Sequence, residues 1–400
     1  MAVSQPLIFR KGLDMKEAVA GELSAAYDSR VVDGVREQDY TYVSGRLTVH
    51  LAREFGFCYG VDRAVDYAYQ ARRRFPGRNV FLTGEIIHNP HVNDRLRAEG
   101  IRFLSDEGED SAALGPDDVV ILPAFGVTVS DMAQLSAQGC TLVDTTCGSV
   151  LNVWKNVTRY ARDGFTSIIH GKIRHEETRA TASQALKFPN GRYLVLLDRE
   201  EAAIVCDYIR NGGDRDGFLT RFGKAASPGF DPDQDLVRVG CANQTTMLMT
   251  ESLEIGEMFG AAMRARYGED ALTQHFRAFD TICSATQERQ DAVIALLDAH
   301  RLDLMVVVGG YNSSNTCNLA RICSGKAPTF HIAEPGALLS ANEIRHRPVG
   351  APSTVQGLEA VGQNWLPTEG PVVIGLTAGA STPNNIVGEV IRRLDTLANQ

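Results

Sequence analysis

The sequence predicts an α/β fold made of several small, mainly parallel sheets. Three observations lead there. Short runs of Val, Ile and Leu recur along the chain, as in VVILPAFGVT at Val119–Thr128 and LDLMVVVGGYNSSN further on. They are continuous rather than alternating, which marks strands covered on both faces. Helical patterns separate them, as parallel connections require. Polar residues also gather just beyond the carboxyl ends of the runs, where open α/β sheets bind ligands.

Taken in order, residues 1–46 are polar and charged with weak periodicity, and predict an extension with one or two short helices. Leu47–Leu51 reads as a strand. From Val61 the spacing of Val61, Ala64, Val65 and Ala68 predicts a helix. NVFLTGEIIHNP and VVILPAFGVT each read as a strand followed by a polar turn, and CTLVDTTCGSV as a strand, small polar residues and a helix start. TSIIHGKIRHEET, YLVLLD and LVRVGCANQTTM continue the pattern, followed by LDLMVVVGGYNSSN, PTFHIA and PVVIGLTAGASTPNN. Segments 209–236 and 256–280 are richer in charge and Gly and read as insertions or surface helices, with a Gly/Asp-rich loop at Asn211–Gly217.

The chain of 400 residues is long enough for two to four domains, and its formal net charge is −9. An acidic balance argues against nucleic acid as the main partner, because backbone affinity needs a basic surface. It leaves room for an anionic small molecule, which needs only a local cluster of donors. No apolar run reaches the roughly 20 residues that span a bilayer, so no membrane insertion is expected. The N-terminal stretch lacks the apolar core of a signal peptide, and Asp14, Glu17 and Glu22 argue against a basic transit peptide. A cytoplasmic location is expected.

There is no G-x-G-x-x-G, Walker A, C-x-x-C, H-E-x-x-H or G-x-S-x-G sequence. His88 and His91 form an H-x-x-H, a weak zinc signal that reads more simply as a solvated pair or a helix cap. Many strand-end loops start a helix, whose first N–H groups suit an anion. His88, Thr145, Thr146, His175, Thr245, Thr246, Ser313, Ser314 and Ser381 lie in such loops.

In a reducing compartment eight cysteines are buried hydrophobes, metal ligands or reactive thiols. Cys58 in FGFCYGVDR, Cys147 in DTTCGSV and Cys283 in DTICSATQERQ each precede a predicted helix, where a thiolate is stabilised. They could converge on a metal or an iron–sulfur cluster, or be three core cysteines near turns. Their spacing matches no local metal motif. Cys140, Cys206, Cys241, Cys317 and Cys323 read as packing residues.

Several blocks in order make the pattern specific: GFCYGVDRAV, GEIIHNPHV, DTTCGSV, HEET, NQTTM, ICSATQERQ, YNSSNT and TAGASTP. Over about residues 50–400 the chain resembles the 4-hydroxy-3-methylbut-2-enyl diphosphate reductase family, the last enzymes of the non-mevalonate isoprenoid route. The longer N-terminus and the PAFGV block resemble its plant and cyanobacterial branch. The resemblance implies three small α/β domains in a pseudo-threefold arrangement around a central [4Fe–4S] cluster, one per chain. Carried over, residues 1–49 are an N-terminal extension. The domains are then 50–145 completed by 370–400, 146–281, and 282–369. Cys58, Cys147 and Cys283 would hold the cluster, leaving one iron without a protein ligand to take the substrate hydroxyl.

The resemblance further implies Glu177 as the proton source. His88, His175, Thr245, Thr246, Ser313, Ser314, Asn315 and Ser381 would bind the allylic diphosphate. Its implied reaction is a two-electron reductive dehydroxylation giving isopentenyl and dimethylallyl diphosphate. A ferredoxin would be the electron donor, with a flavodoxin as the alternative. Phe125 stands where many bacterial members carry a histidine, and it cannot donate a hydrogen bond to diphosphate. Read from the residues alone, Glu176 and Glu177 could simply serve the first turn of a helix, and Thr145 or Thr146 could be an N-cap or a partner of the cluster sulfurs. Two other readings stay open: a non-redox cluster hydro-lyase, and a binding protein that uses a cluster as a redox sensor.

Overall fold

A computed structural model describes residues 7–109, 111–279, 282–351 and 357–400. The chain forms two compact units, one built mainly from Leu122–Cys283 and the other mainly from Phe9–Ser111 and Ser284–Gln400.

In the first unit a four-stranded sheet runs in the order Phe276–Ala278, Val239–Asn243, Thr166–His170, Tyr193–Leu196. Every pairing is parallel. The apolar runs are therefore buried on both faces, as the unbroken composition of TSIIH and VGCAN requires. Helices Arg199–Asn211 and Met249–Tyr267 pack on this sheet together with Phe218, Phe222, Phe230, Phe259 and Met263. Segments 209–236 and 256–280 thus supply core rather than decoration, apart from Asp280, which lies outside the described residues. Their charged residues face outward while one aromatic side of each short helix is buried. The Gly/Asp-rich loop shrinks to Gly212–Asp214, because Asn211 closes one helix and Asp214 caps the next.

In the second unit a five-stranded sheet has the order Thr329–Ile332, Leu304–Val308, Val372–Ala378, Leu47–Leu51, Thr41–Ser44. All its pairings are parallel except that of Thr41–Ser44 with Leu47–Leu51. Val80–Leu82 pairs in parallel with Arg102–Phe103 and with Val119–Leu122. A small antiparallel pair, Glu343–His346 with Ala360–Gln363, lies to one side. The N-terminal stretch holds the two helices expected of it, Lys16–Tyr27 and Arg30–Glu37. The α/β class with mainly parallel sheets is therefore what the chain forms.

The central strand Val372–Ala378 is the middle of this unit's core. Val372, Ile374, Leu376 and Ala378 are fully buried in a core that also takes Val49, Val306, Val308, Val387 and Ile391. Truncating one such leucine or isoleucine to alanine costs about 2–5 kcal/mol. That rigidity matters because the loop leaving this strand carries Ser381.

Candidate functional site

The candidate site residues fall into two groups, one in each unit. In the first unit Cys147 is the N-cap residue of helix Gly148–Arg162, and its N–H donates to Ala124 O at 3.0 Å. Thr145 and Thr146 do not cap that helix. The Thr145 hydroxyl donates to Leu122 O at 2.6 Å, and both the N–H and the hydroxyl of Thr146 donate to Asp144 Oδ1. The two threonines fold the strand end into a tight polar turn, which fixes where Cys147 emerges.

His175 is the N-cap residue of helix Glu176–Ala185, and its Nδ1 accepts the N–H of Glu177 at 3.2 Å. Nδ1 is therefore unprotonated, and in the neutral ring the proton sits on Nε2, which becomes a donor. The Phe125 ring stands edge-on to His175, centroids 5.7 Å apart. Phe125 thus acts as an apolar wall for the histidine. Gly126, next to it, has φ +76° and lies against Trp154, where an added Cβ would come within 2.4 Å of the ring. Only glycine fits there.

The paired glutamates separate cleanly. Glu176 is exposed, while Glu177 is only 2% exposed. Oε1 of Glu177 accepts the N–H of Thr245 at 2.6 Å. The carbonyl of Thr245 in turn accepts the N–H of Cys283 at 3.4 Å. Gln244 Nε2 donates to the Thr246 hydroxyl at 2.7 Å, and Gln244 Oε1 accepts from the Thr178 hydroxyl and from Lys172 N–H. One turn of chain, 244–246, therefore ties the acid, the helix that bears it and the third cysteine together. Glu177, in the first turn of its helix, is thus a buried carboxylate whose Oε1 is held by a main-chain N–H.

The second unit brings together Cys58, His88, Ser313, Ser314, Asn315 and Ser381. Cys58 is the N-cap residue of helix Tyr59–Arg74, and its N–H donates to Ala380 O at 3.2 Å. The N–H of Ala380 donates to Asn315 Oδ1 at 3.0 Å. The Ser381 hydroxyl donates to His88 O at 3.1 Å, and Asn89 Nδ2 donates to Ser381 O at 2.8 Å. The AGAS loop is thus the hub on which the cysteine, the histidine and the asparagine are hung.

Ser313 caps helix Ser314–Ser324, accepting from Thr316 N–H, and Ser314 and Asn315 open that helix. The Nδ2 of Asn315 is buried and has no hydrogen-bond partner among the described residues, in a residue 2% exposed. A buried donor at the positive end of a helix suits an anion. His88 Nδ1–H donates to Glu85 Oε2 at 2.8 Å, and Asn312 Nδ2 donates to the same oxygen at 2.9 Å. Gly310 passes so close that a Cβ there would lie 2.4 Å from His88 O. Glu85 and Asn312 were not singled out by sequence. The signal was present for Glu85, three residues before His88, where a loop can fold a carboxylate back onto a ring nitrogen.

The cysteines divide by environment. Burial pushes the thiols of Cys206 and Cys323 up to about 12, and that of Cys241 up as well. Cys140 is also buried, and the thiol of Cys317 donates to Tyr311 O at 3.4 Å. Cys58, Cys147 and Cys283 are half-buried, and each directly precedes a helix. Partial access at a helix N-terminus is what a thiolate ligand needs. Each of the three, taken by itself, has the chemistry and the access of a metal-binding thiolate.

A family profile described as LytB protein matches residues 49–395. The chain belongs to the LytB family. It is 50% identical over 392 residues, 97% of this chain and 95% of the relative, to a 4-hydroxy-3-methylbut-2-enyl diphosphate reductase of Synechococcus sp. (strain CC9311). A LytB relative of the same description from Gloeobacter violaceus is 52% identical over 394 residues, covering 96% of this chain and 91% of its own. A solved structure of (E)-4-hydroxy-3-methyl-but-2-enyl diphosphate reductase, described as the terminal enzyme of the non-mevalonate pathway, superposes with a TM-score of 0.53 at 26% identity. It covers 87% of this chain and 99% of its own. Among the described residues no helix is long and apolar enough to cross a membrane.

Proposed function

We propose that this chain reduces (E)-4-hydroxy-3-methylbut-2-enyl diphosphate to isopentenyl and dimethylallyl diphosphate, the last step of the non-mevalonate isoprenoid route. One C–O bond breaks, one C–H bond forms, and two electrons and two protons are consumed as the hydroxyl leaves as water. The observation that carries the reading is the buried Glu177, held through Oε1 by Thr245 N–H, in a chain half identical to reductases of that name.

Cys58, Cys147 and Cys283 would hold a [4Fe–4S] cluster with one iron lacking a protein ligand. Each comes from one of three α/β domains, 50–145 completed by 370–400, 146–281 and 282–369, in a pseudo-threefold arrangement. When bound, such a cluster supplies single electrons and a Lewis-acidic iron, chemistry that side chains lack. The protein supplies the rest. The Glu177 carboxyl delivers a proton to the departing oxygen, with the Thr245 hydroxyl as a relay. Nε2–H of His175, the Thr246, Ser313, Ser314 and Ser381 hydroxyls, Asn315 Nδ2 and His88 bind the diphosphate. Neutral donors at a helix start suit an anion in a chain of net charge −9. The electron donor would be a ferredoxin, with a flavodoxin as the alternative, and the site of action the cytoplasm.

The test is anaerobic purification with iron and sulfide analysis and Mössbauer spectra, with and without substrate, followed by turnover with and without reductant. Reductant-dependent loss of the diphosphate with both isoprenoid products supports the reading. Consumption without reductant points to a hydro-lyase. A cluster that ignores the diphosphate points to a redox sensor.

A further inference from the structure

Arg289 lies on helix Ser284–Ala299, which begins at the residue after Cys283. It is 3% exposed. A buried arginine is rare without a carboxylate beside it, yet every hydrogen bond described for this guanidinium ends on a main-chain carbonyl. Nε and Nη2 donate to Gly56 O at 3.2 and 2.8 Å, Nη2 donates to Phe57 O at 3.2 Å, and Nη1 donates to Ala285 O at 2.8 Å. The peptide between Phe57 and Cys58 is therefore gripped at both ends. Its carbonyl accepts from Arg289, and its N–H, that of Cys58, donates to Ala380 O at 3.2 Å.

We infer that Arg289 is the positioning residue of the Cys58 loop, and that its buried charge raises the electron affinity of the group Cys58 would help to hold. The inference rests on the proposed function for its second half only. The first half follows from geometry. The fork spans two successive carbonyls, Gly56 and Phe57, in a loop whose Gly56 has φ +73° and whose Cβ position is hemmed by Thr382 O. A planar guanidinium can bridge two such acceptors at once, whereas an ammonium on a flexible stem holds one. The second half follows from Coulomb's law. A unit positive charge with no carboxylate partner among the described residues, in a low-dielectric interior, favours whichever neighbouring state carries one more electron. Arg289 touches neither substrate nor reacting atoms in this account, and acts through Cys58.

Two substitutions separate the halves. R289K keeps the charge and loses the fork; R289M loses both at similar stem length. In the apo-protein, alkylation of Cys58 by iodoacetamide is followed by mass spectrometry, with Cys147 as the internal reference. The ratio of Cys58 to Cys147 rates should rise at least threefold in both variants. In the anaerobically reconstituted holoprotein, EPR-monitored titration should give R289K a potential close to the parent. The potential of R289M should move negative by a tenfold change in the electron equilibrium, about 59 mV for one electron. An unchanged alkylation ratio in both variants overturns the positioning role. R289M at the parental potential, or R289K shifted as far as R289M, overturns the electrostatic role. If R289M does not hold a cluster, R289Q replaces it under the same criteria. A parent chain that takes up no iron and sulfide sinks the functional reading instead, while the alkylation ratio still decides the positioning role.

Discussion

The main-chain N–H of Thr245 donates to Oε1 of Glu177 at 2.6 Å, and the carbonyl of the same residue accepts the N–H of Cys283. The main chain of one residue thus fixes the acid on one side and a candidate cluster ligand on the other. Replacing Glu177 by Gln preserves an oxygen to accept the Thr245 N–H but removes the proton. E177Q should keep full iron content and near-parental substrate affinity, while kcat falls about 10²–10⁴-fold. E176Q, at an exposed position, should leave kcat within a factor of two or so. Steady-state kinetics on both variants, with iron analysis on the same samples, checks this. Parental turnover in E177Q removes Glu177 from the proton path.

Asn315 permits an equally sharp separation. Its Oδ1 accepts Ala380 N–H at 3.0 Å, while its Nδ2 has no partner among the described residues. Asp at this position keeps the acceptor that anchors the AGAS loop and deletes the free donor. Loss of a hydrogen bond to a charged oxygen is worth about 1.5–3 kcal/mol, so KM for the diphosphate should rise about ten- to a hundredfold. The added negative charge works in the same direction. Thermal stability should fall by the cost of burying the new carboxylate, so KM is compared on folded protein verified by circular dichroism. N315D with unaltered KM means that the orphaned amide faces something other than the diphosphate.

Glu85 accepts from both His88 Nδ1–H and Asn312 Nδ2, so it sets the plane of the histidine ring. E85A removes the carboxylate acceptor of the ring, and should raise KM about tenfold through a lost charge-assisted bond of about 1.5 kcal/mol. E85Q retains an oxygen acceptor and should recover most of that loss. Equal effects of the two substitutions would show that charge, and not ring orientation, is what Glu85 contributes. Isothermal titration with the diphosphate on the reconstituted protein measures this without turnover.

How much of this was legible depends on how local each cause is. Leu47–Leu51 appears as a strand in the sequence because five consecutive residues carry the whole signal. Cys58 and Cys147 read as helix-start cysteines for the same reason, since an N-cap is defined by the next turn of chain. The aromatic core residues Phe218, Phe222 and Phe230 were hidden because charged neighbours outnumber them in any short window, and only the facing helix Met249–Tyr267 reveals their shared side. The N-cap reading of Thr146 failed because Asp144, two residues away, competes for its hydroxyl. Arg289 was illegible for a different reason. Its partners Gly56 and Phe57 lie more than 230 residues away in the chain, and no motif records a side chain that binds carbonyls. Between Glu176 and Glu177 the family resemblance chose Glu177, whereas the residues by themselves did not choose, because adjacent residues in a helix's first turn differ only in which direction each faces.

The pH response of folding stability has an identifiable source in His331. The ring is 2% exposed, its Nε2–H donates to Gly309 O at 3.0 Å, and Tyr311 stands edge-on at 5.1 Å. Burial, with Arg347 and His346 adding to it, lowers its pKa to about 4, against an opposing pull from the Gly309 carbonyl. In the unfolded chain the same ring titrates near 6.5. Below that pH the unfolded state takes up a proton that the folded state refuses. The stabilisation is therefore complete above about 6.5 and is lost as pH falls through 4, by at most about 3 kcal/mol. H331Q keeps a donor for Gly309 O and cannot titrate. Its melting temperature should lie below the parent at pH 7 but fall less steeply between pH 6.5 and 4, so that the two curves converge on acidification. Melts of both proteins in the same cluster state measure the difference in slope, and parallel curves across that window would assign the acid sensitivity to other groups.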